Sequence, residues 1–580
     1  MSVIESPEDL PLGTSLPPGD PHGVSVHLPK WADTVGWACR EPRVLGSMTT
    51  GYPRFFVARV VDKLAMMLLE VKQFREGSNV RSTDGTGARL AMVLDTLRHG
   101  QMCRTTLLKW CAAADPSSVP DIEVGIVSWD GKIAHAGRDI CSKSALSAGS
   151  TGDEDIILVS YPAELASQAK AFWQHTGFGI SSRRAIHWIE DAPFLSPSTP
   201  PKRNLLPFDV SHRLDEAKAT LRSRIAAGQS TPTLPVSPSD VFLFPTGMTA
   251  LSEVASSILS LRNATHSNPY RAVIFGFPYV DTYKLLTLLH PFHATLYPAT
   301  PHSLSSLTTL LSTTPIDALF TEFPGNPLLQ SPPLLSLHTL AQQHNFLLVV
   351  DDTIGTSTNL ALLGACDVVC TSLTKMFSGG CNVMGGAVVV NPTSRFRAGV
   401  EAGLEKGREE AERAWFWRDV LVMEGNSRDF EERVLKASEN AELVVGLLRA
   451  SLVVREVYYP LGAPTQGGYD EFKREGGGYG YMLSVRFWES ERAVVFYDSL
   501  DVAKGPSLGT NFTLCCAYTL LAHYKELEWA AGYGVVEDLV RISVGLEERG
   551  WLQDRVMKAL RVAEAVELQN EGNVEGDECG

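Results

Sequence analysis

The stretch DVVCTSLTKMFSGG, residues 367–380, places one lysine directly after an apolar run. The run DVVCTSL (367–373) is typical of a buried strand, and Lys375 follows it, with the hydroxyl residues Ser372 and Thr374 just before the lysine. A lysine in this position either forms a salt bridge at the end of a strand or carries out covalent chemistry beside a bound phosphate. The surrounding sequence has to distinguish these two interpretations.

Apolar runs like this one recur from about residue 241, and helical segments separate them. The runs are VFLFP, RAVIFGF, DALFTEF, FLLVVDD, DVVCTSL and GGAVVVN. Nearly continuous apolar strands that alternate with helices indicate a mainly parallel sheet covered on both faces. A long charged helix is predicted next, over 405–421 (EKGREEAERAWFWRDVL), and an α+β region with the strands REVYYPL, GYMLSVRF and LVRISVGLE follows it.

A chain of 580 residues is expected to contain several domains. Pro- and Ser-rich stretches at 196–207 and 228–240 are predicted to be linkers. The predicted units are an N-terminal arm and helix (1–79), an extra α/β unit whose role the sequence leaves open (80–205), a large domain (206–400), a smaller α+β domain (401–565) and a disordered acidic tail (566–580).

Composition excludes several classes of partner. The net charge is −15, which argues against a nucleic acid or an anionic membrane as the main partner. The ten cysteines are scattered without a CxxC pair, which predicts reduced thiols in an intracellular protein and not a disulfide framework. No metal site is expected. The sequence has no signal-peptide pattern and no apolar run long enough to span a bilayer, so a cytoplasmic location is expected.

A turn that could receive a phosphate lies in FPTGMTALSEVASSIL, residues 244–259. Thr246 can cap the helix that follows, Gly247 lets the backbone approach a ligand closely, and Met248 begins the buried stripe of that helix. Free N–H groups at such a helix start suit a phosphate. Most Thr-Gly helix starts are only caps, so the turn alone does not decide the function.

Two aspartates, Asp351 and Asp352, end the buried run of FLLVVDDTIGT (346–356). They are either helix caps and salt-bridge partners, or one of them is a carboxylate held against a protonated ring nitrogen. Because neighbouring strand residues point to opposite faces, at most one of them can face a ligand. Ligands of open α/β sheets collect at the carboxyl ends of strands. Together, Asp351, Lys375 and the turn at Thr246 match the requirements of pyridoxal phosphate.

With these motifs the chain resembles the Cys/Met-metabolism family of pyridoxal-phosphate enzymes, the trans-sulfuration enzymes, and within it the long fungal-type cystathionine γ-synthases. The resemblance covers about 240–565 and a patch near 45–56. It rests on Tyr52 and Arg54 of GYPRFF, Thr246-Gly247-Met248, Tyr279 of YVDTY, EFPGNP with Asn326, Asp351-Asp352-Thr353, Ser372-Leu373-Thr374-Lys375, Ser507-Leu508-Gly509 and RISVGLE with Arg541. The chain departs from the family at Asp352, where the family has Asn, and at Val280 and Asp281, where the family has two glycines.

The resemblance implies the aspartate-aminotransferase-like fold type I and a role for each matching residue. Lys375 would form the Schiff base and act as general base, Asp351 would pair with the pyridine nitrogen, and Tyr279 would stack on the ring and serve as an acid or base. Asn326 would meet the phenolic oxygen, and Arg541 and Ser507 would bind the substrate carboxylate. The residues expected around the phosphate are Thr246, Gly247, Met248, Ser372 and Thr374, together with Tyr52 and Arg54 from a neighbouring subunit. A homodimer or a dimer of dimers is therefore expected.

The resemblance also implies a reaction on small amino-acid substrates. The expected activity is γ-replacement on an O-activated homoserine by cysteine, which gives cystathionine in methionine biosynthesis. The alternatives are another reaction of the same family (a sulfhydrylase, a γ- or β-lyase, or γ-replacement with a carbon or nitrogen nucleophile in secondary metabolism) and a non-catalytic regulatory protein that binds the cofactor.

Overall fold

The computed structural model describes residues 4, 6–53, 55–76, 88–115, 117, 119–135, 155–196, 208–261 and 269–567. Within these ranges the strands form four sheets. The first is a ribbon of two short strands, β1 (Ser15–Leu16) and β2 (Ser25–Val26), followed by the helices α1 (Trp31–Ala38) and α2 (Pro42–Ser47).

The second sheet belongs to the extra unit and is antiparallel, in the order β3-β6-β4-β5. Its elements are α3 (Arg59–Glu76), β3 (Arg89–Leu94), α4 (Leu97–Ala114), β4 (Glu123–Val127), β5 (Ile133–His135), β6 (Ile156–Pro162), α5 (Ala166–Thr176) and α6 (Ser182–Asp191). One apolar core joins the sheet to α4 and α5, and a second joins it to α3 and α6. Because both faces are covered, β6 is apolar along most of its length.

The third sheet has seven strands and forms the centre of the large domain. The elements of this domain are α7 (Phe208–Gln229), β7 (Val241–Phe244), α8 (Gly247–Leu261), β8 (Tyr270–Phe275), α9 (Val280–Lys284), β9 (Phe292–Tyr297), α10 (Pro301–Leu311), β10 (Ala318–Glu322), α11 (Leu334–His344), β11 (Leu347–Asp351), β12 (Val368–Ser372) and β13 (Gly386–Val390). The order is β7-β13-β12-β11-β10-β8-β9, and only β13 runs against its neighbours.

Helices cover both faces of this sheet, so neighbouring strand residues enter different cores. Val241 and Leu243 pack into one core, and Phe242 and Phe244 pack into the other. This double burial is the physical reason for the continuous apolar runs in the sequence. The predicted mainly parallel, type I fold is confirmed.

The fourth sheet lies in the C-terminal domain and is largely antiparallel, in the order β14-β15-β18-β17-β16. The elements of this region are α12 (Arg397–Ala414), α13 (Trp417–Asn426), α14 (Phe430–Arg449), β14 (Val454–Tyr458), α15 (Gln466–Asp470), β15 (Met482–Phe487), α16 (Ser490–Ser499), β16 (Ala503–Lys504), β17 (Leu514–Ala517), α17 (Tyr518–His523), α18 (Leu527–Ala531), β18 (Val540–Ser543) and α19 (Arg549–Glu564).

The long charged helix predicted over 405–421 is interrupted in the structure. α12 ends at Ala414 and α13 begins at Trp417. Trp415 and Phe416 between them are buried, and the indole N–H of Trp415 donates to the carbonyl of Met384 at 3.1 Å. The helix is thus interrupted at the two residues whose aromatic side chains are buried.

Two of the predicted unit boundaries, at 79/80 and 205/206, lie outside the described residues. Residues 197–207 of the first predicted linker and 568–580 of the predicted tail lie outside the described residues. Among the helices that are described, none is long and apolar enough to cross a membrane. In the described part of the chain no group of three or more His, Cys, Asp or Glu side chains is placed to hold a metal ion.

Candidate active site

The predicted functional residues converge at the carboxyl ends of β7, β10, β11 and β12. They line one cavity, and those whose side chains or backbone face it are Tyr52, Thr246, Gly247, Met248, Tyr279, Asn326, Asp351, Ser372, Thr374, Lys375 and Arg541. Ser507 reaches the site through its backbone carbonyl, which accepts a hydrogen bond from Arg541 at 2.9 Å. Arg54 lies outside the described residues.

Lys375 follows β12 and points into this cavity. It is 6% exposed, and its Nζ donates to the hydroxyl of Tyr52 at 2.9 Å. Gly509 has a φ of +64°, and a Cβ at this position would lie 2.5 Å from the backbone nitrogen of Met376. Only glycine therefore allows the 507–509 loop to pack against the turn that holds Lys375.

The turn at Thr246 has the geometry of a capped helix start. The Thr246 hydroxyl accepts a hydrogen bond from the backbone N–H of Thr249 at 3.0 Å, as expected for a cap. A Cβ on Gly247 would lie 2.8 Å from the Cβ of Ser372. The absence of a side chain at Gly247 thus brings the start of α8 next to the hydroxyl of Ser372, and both line the cavity.

Three carboxyl groups lie at the ends of β10 and β11: Glu322 and Asp351 are partly buried, and Asp352 is buried. Asp351 and Glu322 are neighbours in the sheet register, and both line the cavity. Burial, together with the nearby Asp351, raises the pKa of Glu322 to about 8, and burial also raises the pKa of Asp351. A cationic group in the cavity would offset the cost of ionising this pair.

Asp352 points away from the cavity. Its carboxylate accepts hydrogen bonds from Gln229 at 2.6 Å and from Thr371, and burial raises its pKa to about 7. Strand alternation thus directs Asp351 and Asp352 to opposite sides, as the sequence predicted. Only Asp351 is placed to meet a ligand beside Lys375.

Arg541, on β18, is a nearly buried cation that faces the cavity. It is 3% exposed, and its guanidinium donates to Asn326 Oδ1 at 3.2 Å and to the carbonyls of Pro506 and Ser507. Among the residues that the structure describes, no carboxylate lies within ion-pair distance of it. Such an arginine is suited to bind an anionic group of a ligand.

Sequence reasoning missed two residues of this site. Tyr518 begins α17, accepts a hydrogen bond from Asn326 Nδ2 at 3.3 Å, and places its ring centre 4.9 Å from the Arg541 guanidinium carbon. Glu322 stands out in the sequence only as the first letter of EFPGNP, but it accepts hydrogen bonds from the backbone N–H groups of Tyr279 and Asn326. The position of an acid at the end of β10 could have indicated Glu322, whereas no signal in LCCAYTLLAHY indicates Tyr518.

Tyr52 lies beside Lys375 of its own chain, and the supply of the segment around it by a neighbouring subunit stays a prediction. The residues before it are bound to the same chain. The backbone N–H of Val24 donates to Cys381 at 2.8 Å, that of Leu28 donates to Lys504 at 2.9 Å, and that of Trp31 donates to Asp498 at 2.7 Å. These bonds hold the N-terminal segment against the large and C-terminal domains of its own chain, and Tyr52 lies beside Lys375.

The residues of the cavity fit pyridoxal phosphate. Lys375 offers a buried amine, the acidic pair Asp351 and Glu322 can receive a protonated ring nitrogen, and the close approach of Gly247 to Ser372 forms a cradle that a side chain would fill. The donors at this cradle are neutral hydroxyl and backbone N–H groups, which suit a phosphate at a helix start.

Comparison with known proteins also indicates an enzyme that uses pyridoxal phosphate. The pattern of the family described as "Cys/Met metabolism PLP-dependent enzyme" matches residues 236–561, and that of the "Fungal trans-sulfuration enzyme, N-terminal domain" matches residues 61–181. A cystathionine γ-synthase from Neurospora crassa is 34% identical and covers 95% of this chain and 98% of its own length.

Other relatives carry different names. A cystathionine γ-synthase-like enzyme from Amanita muscaria is also 34% identical, over 97% of this chain and 98% of its own length. An alanine racemase from Aspergillus violaceofuscus is 30% identical, over 97% of this chain and 98% of its own length.

Among solved structures, a cystathionine γ-synthase from Xanthomonas oryzae pv. oryzae has the same fold. The TM-score is 0.52 and the identity is 23%, with 61% of this chain and 88% of that chain covered. The solved structure shows only a shared fold, whereas the match to the family pattern and the relatives that cover most of the chain show membership of the family. The chain therefore belongs to the Cys/Met-metabolism family of enzymes, and its cofactor is pyridoxal phosphate.

Proposed function

We propose that the enzyme catalyses γ-replacement on an O-activated homoserine and that cysteine is the nucleophile, so that the product is cystathionine. The observation that carries this proposal is the position of Arg541, a buried cation without a carboxylate partner among the described residues, in the same cavity as Lys375. An amino-acid substrate whose carboxylate binds Arg541 would present its Cα to the amine of Lys375.

The remaining residues have complementary proposed roles. The bound cofactor supplies an electron sink that acidifies the Cα and Cβ protons of the substrate. Lys375 removes the proton at Cα and moves protons at Cβ, and its burial excludes water from that transfer. Asp351 holds the ring nitrogen in its protonated form, and Tyr279 stacks on the ring and serves as an acid or base.

The proposed binding sites for the phosphate and the substrate use different sides of the cavity. Thr246, Gly247, Met248, Ser372 and Thr374 surround the phosphate side. Arg541, oriented by Asn326 and by the carbonyl of Ser507, binds the carboxylate on the other side. Tyr52 orients the free amine of Lys375 through the hydrogen bond between them.

The names of the relatives support γ-replacement by cysteine but also support a second candidate. Enzymes named as cystathionine γ-synthase-like proteins and as an alanine racemase match this chain along most of its length. A reaction of the same family with another nucleophile, or without one, is therefore the alternative. We also propose that the first substrate is an ester of homoserine and that the reaction serves methionine biosynthesis.

The deciding experiment is an assay of the purified protein with O-acetyl-, O-succinyl- and O-phosphohomoserine, each offered with cysteine, with sulfide and with no nucleophile. Formation of cystathionine with one ester, fastest when cysteine is present, supports the proposal. Consumption of sulfide, or ester cleavage to a keto acid at the same rate without a nucleophile, would favour the alternative. The variant Lys375→Ala provides the blank for each reaction.

A further inference from the structure

The last turn of α5, residues 174–177, lies in the extra unit but contacts the elements behind two walls of the active-site cavity. The first is α9, which directly follows Tyr279, a residue that lines the cavity. The second is the turn that begins α8, where Thr246 lines the cavity. Because this turn of α5 belongs to the segment that matches the fungal N-terminal domain, it is separate from the segment that matches the catalytic family.

The contact with α9 is made through Asp281. This carboxylate is fully buried, and its Oδ1 accepts hydrogen bonds from His175 Nδ1 at 2.8 Å and from Gln174 Nε2 at 3.2 Å. A carboxylate only accepts, so His175 carries a proton on Nδ1 when this bond forms. Both donors to this buried carboxylate therefore come from the extra unit.

The contact with the phosphate turn is made through Gly177. Its carbonyl oxygen lies 3.4 Å from the hydroxyl of Thr246 and 3.5 Å from that of Thr249, and both hydroxyls are buried. Gly177 has a φ of 75° and ends α5, so the chain turns there and directs this carbonyl toward α8. One helical turn of the extra unit thus bonds to both walls.

The helix α9 depends on such contacts for its position. It spans five residues and continues directly into a π-helical turn, Leu285–Leu289, and Tyr279 at its start makes no side-chain cap. Isolated helical segments as short as these two together have little stability of their own, so tertiary contacts decide where they lie. Burial of Asp281 without His175 would leave the carboxylate with one donor, and the helix would shift to hydrate it.

We propose that the last turn of α5 is a positioning element that holds α9, and with it Tyr279, against the cofactor cavity. The role of Tyr279 at the cofactor rests on the proposed function. The position of α9 is independent of the proposed function, because it can be measured in the protein without substrate. The extra unit then contributes to catalysis through the placement of α9, and none of its described residues lines the cavity.

The test compares His175→Ala with a matched control, His187→Ala. His187 lies in the same unit and pairs with Asp191 at 2.8 Å in the same manner, but it lies outside the turn 174–177. Hydrogen exchange of the peptide that covers 279–289 is followed in the cofactor-free protein and in the loaded enzyme. We expect His175→Ala to accelerate this exchange by about tenfold or more, since the segment opens locally, and His187→Ala to leave it unchanged.

Two further readouts separate positioning from general destabilisation. His175→Ala should lose bound cofactor faster and reduce its visible circular dichroism, whereas His187→Ala should only lower the thermal midpoint. Asp281→Ala should reproduce the effect of His175→Ala, and the double variant should add nothing. His175→Asn, whose amide nitrogen can take the place of Nδ1, should restore slow exchange in large part.

Unchanged exchange in 279–289 for His175→Ala, or full additivity in the double variant, would overturn the proposal. If His175→Ala fails to fold, the comparison of Asp281→Asn, which keeps the acceptor Oδ1, with Asp281→Ala replaces it, and equal exchange in these two variants overturns the proposal as well. The exchange of the cofactor-free protein stays informative even if the substrate assay shows another reaction.

Discussion

The hydroxyl of Tyr52 lies 2.9 Å from Nζ of Lys375 in the same chain. The centre of the Tyr52 ring is 4.2 Å from the same nitrogen, so the lysine contacts both the hydroxyl and the face of one side chain. The pair joins the N-terminal segment to the end of β12 across 323 positions of sequence. Whether Tyr52 serves the site of its own chain or that of a neighbouring subunit is a question that experiment can decide.

Mixed oligomers test this arrangement. Tyr52→Ala and Lys375→Ala chains with different tags are co-expressed, and assemblies that carry both tags are purified. If Tyr52 acts in its own chain, every site of the mixed assembly lacks one of the two residues, and activity stays at the level of the single variants. Recovery of part of the wild-type activity would show that Tyr52 is supplied by a partner.

Removal of the Lys375 amine should abolish turnover. Lys375→Ala removes the amine that we propose as general base and as site of covalent attachment, so the purified protein should lose the visible absorption of the Schiff-base linkage. Absorbance spectra and borohydride reduction followed by peptide mapping check this. A reducible linkage that persists in the variant would place the attachment elsewhere.

Asp351 should matter far more than its neighbour. Asp351→Asn removes the charge that faces the cavity and should lower kcat/KM by on the order of 100-fold. Asp352→Asn keeps an acceptor for Gln229 and Thr371 on the opposite side of the strand and should have a small effect. The opposite order of the two rates would show that the other aspartate faces the ring.

Replacement of Arg541 by lysine should weaken substrate binding while the charge is kept. Lysine lacks the planar fork that reaches Asn326, Ser507 and a carboxylate together. We expect the KM for the amino-acid substrate to rise by about tenfold or more, since hydrogen bonds to a charged group are lost. Steady-state kinetics with unchanged cofactor content would confirm this, and an unchanged KM would contradict it.

The stability of the cofactor-free protein should fall as the pH rises toward 8. The pKa of Glu322 is raised from 4.5 to about 8, so the folded state binds a proton that the unfolded state releases. Its stabilising contribution is complete below about pH 4.5 and is lost as the pH rises through about 8. Thermal midpoints measured between these values for the wild type and Glu322→Gln check this, and the variant should show a weaker dependence on pH.

Local patterns in the sequence were sufficient to predict the fold class and most of the cavity. The runs VFLFP, FLLVVDD and DVVCTSL form strands of one sheet because both of its faces are covered, which leaves a continuous apolar signature. Residues at the carboxyl ends of these strands meet because parallel strands end at the same edge. The order of residues along the chain therefore suffices to place Asp351, Lys375 and the turn at Thr246 together.

Tertiary contacts determined the rest. The break between α12 and α13 coincides with the burial of Trp415 and Phe416, which helix propensity does not register. The hydrogen-bond partner of Asp281 is His175, which lies 106 residues earlier, on α5 of the extra unit. From the sequence alone, Asp281 was visible only as a departure from the family motif. By itself the sequence determined most of the candidates for the chemistry, because that prediction depends on residue type and position along a strand. Only the tertiary structure decided which chain segment positions them, because hydrogen bonds between distant segments leave no periodic pattern in the sequence.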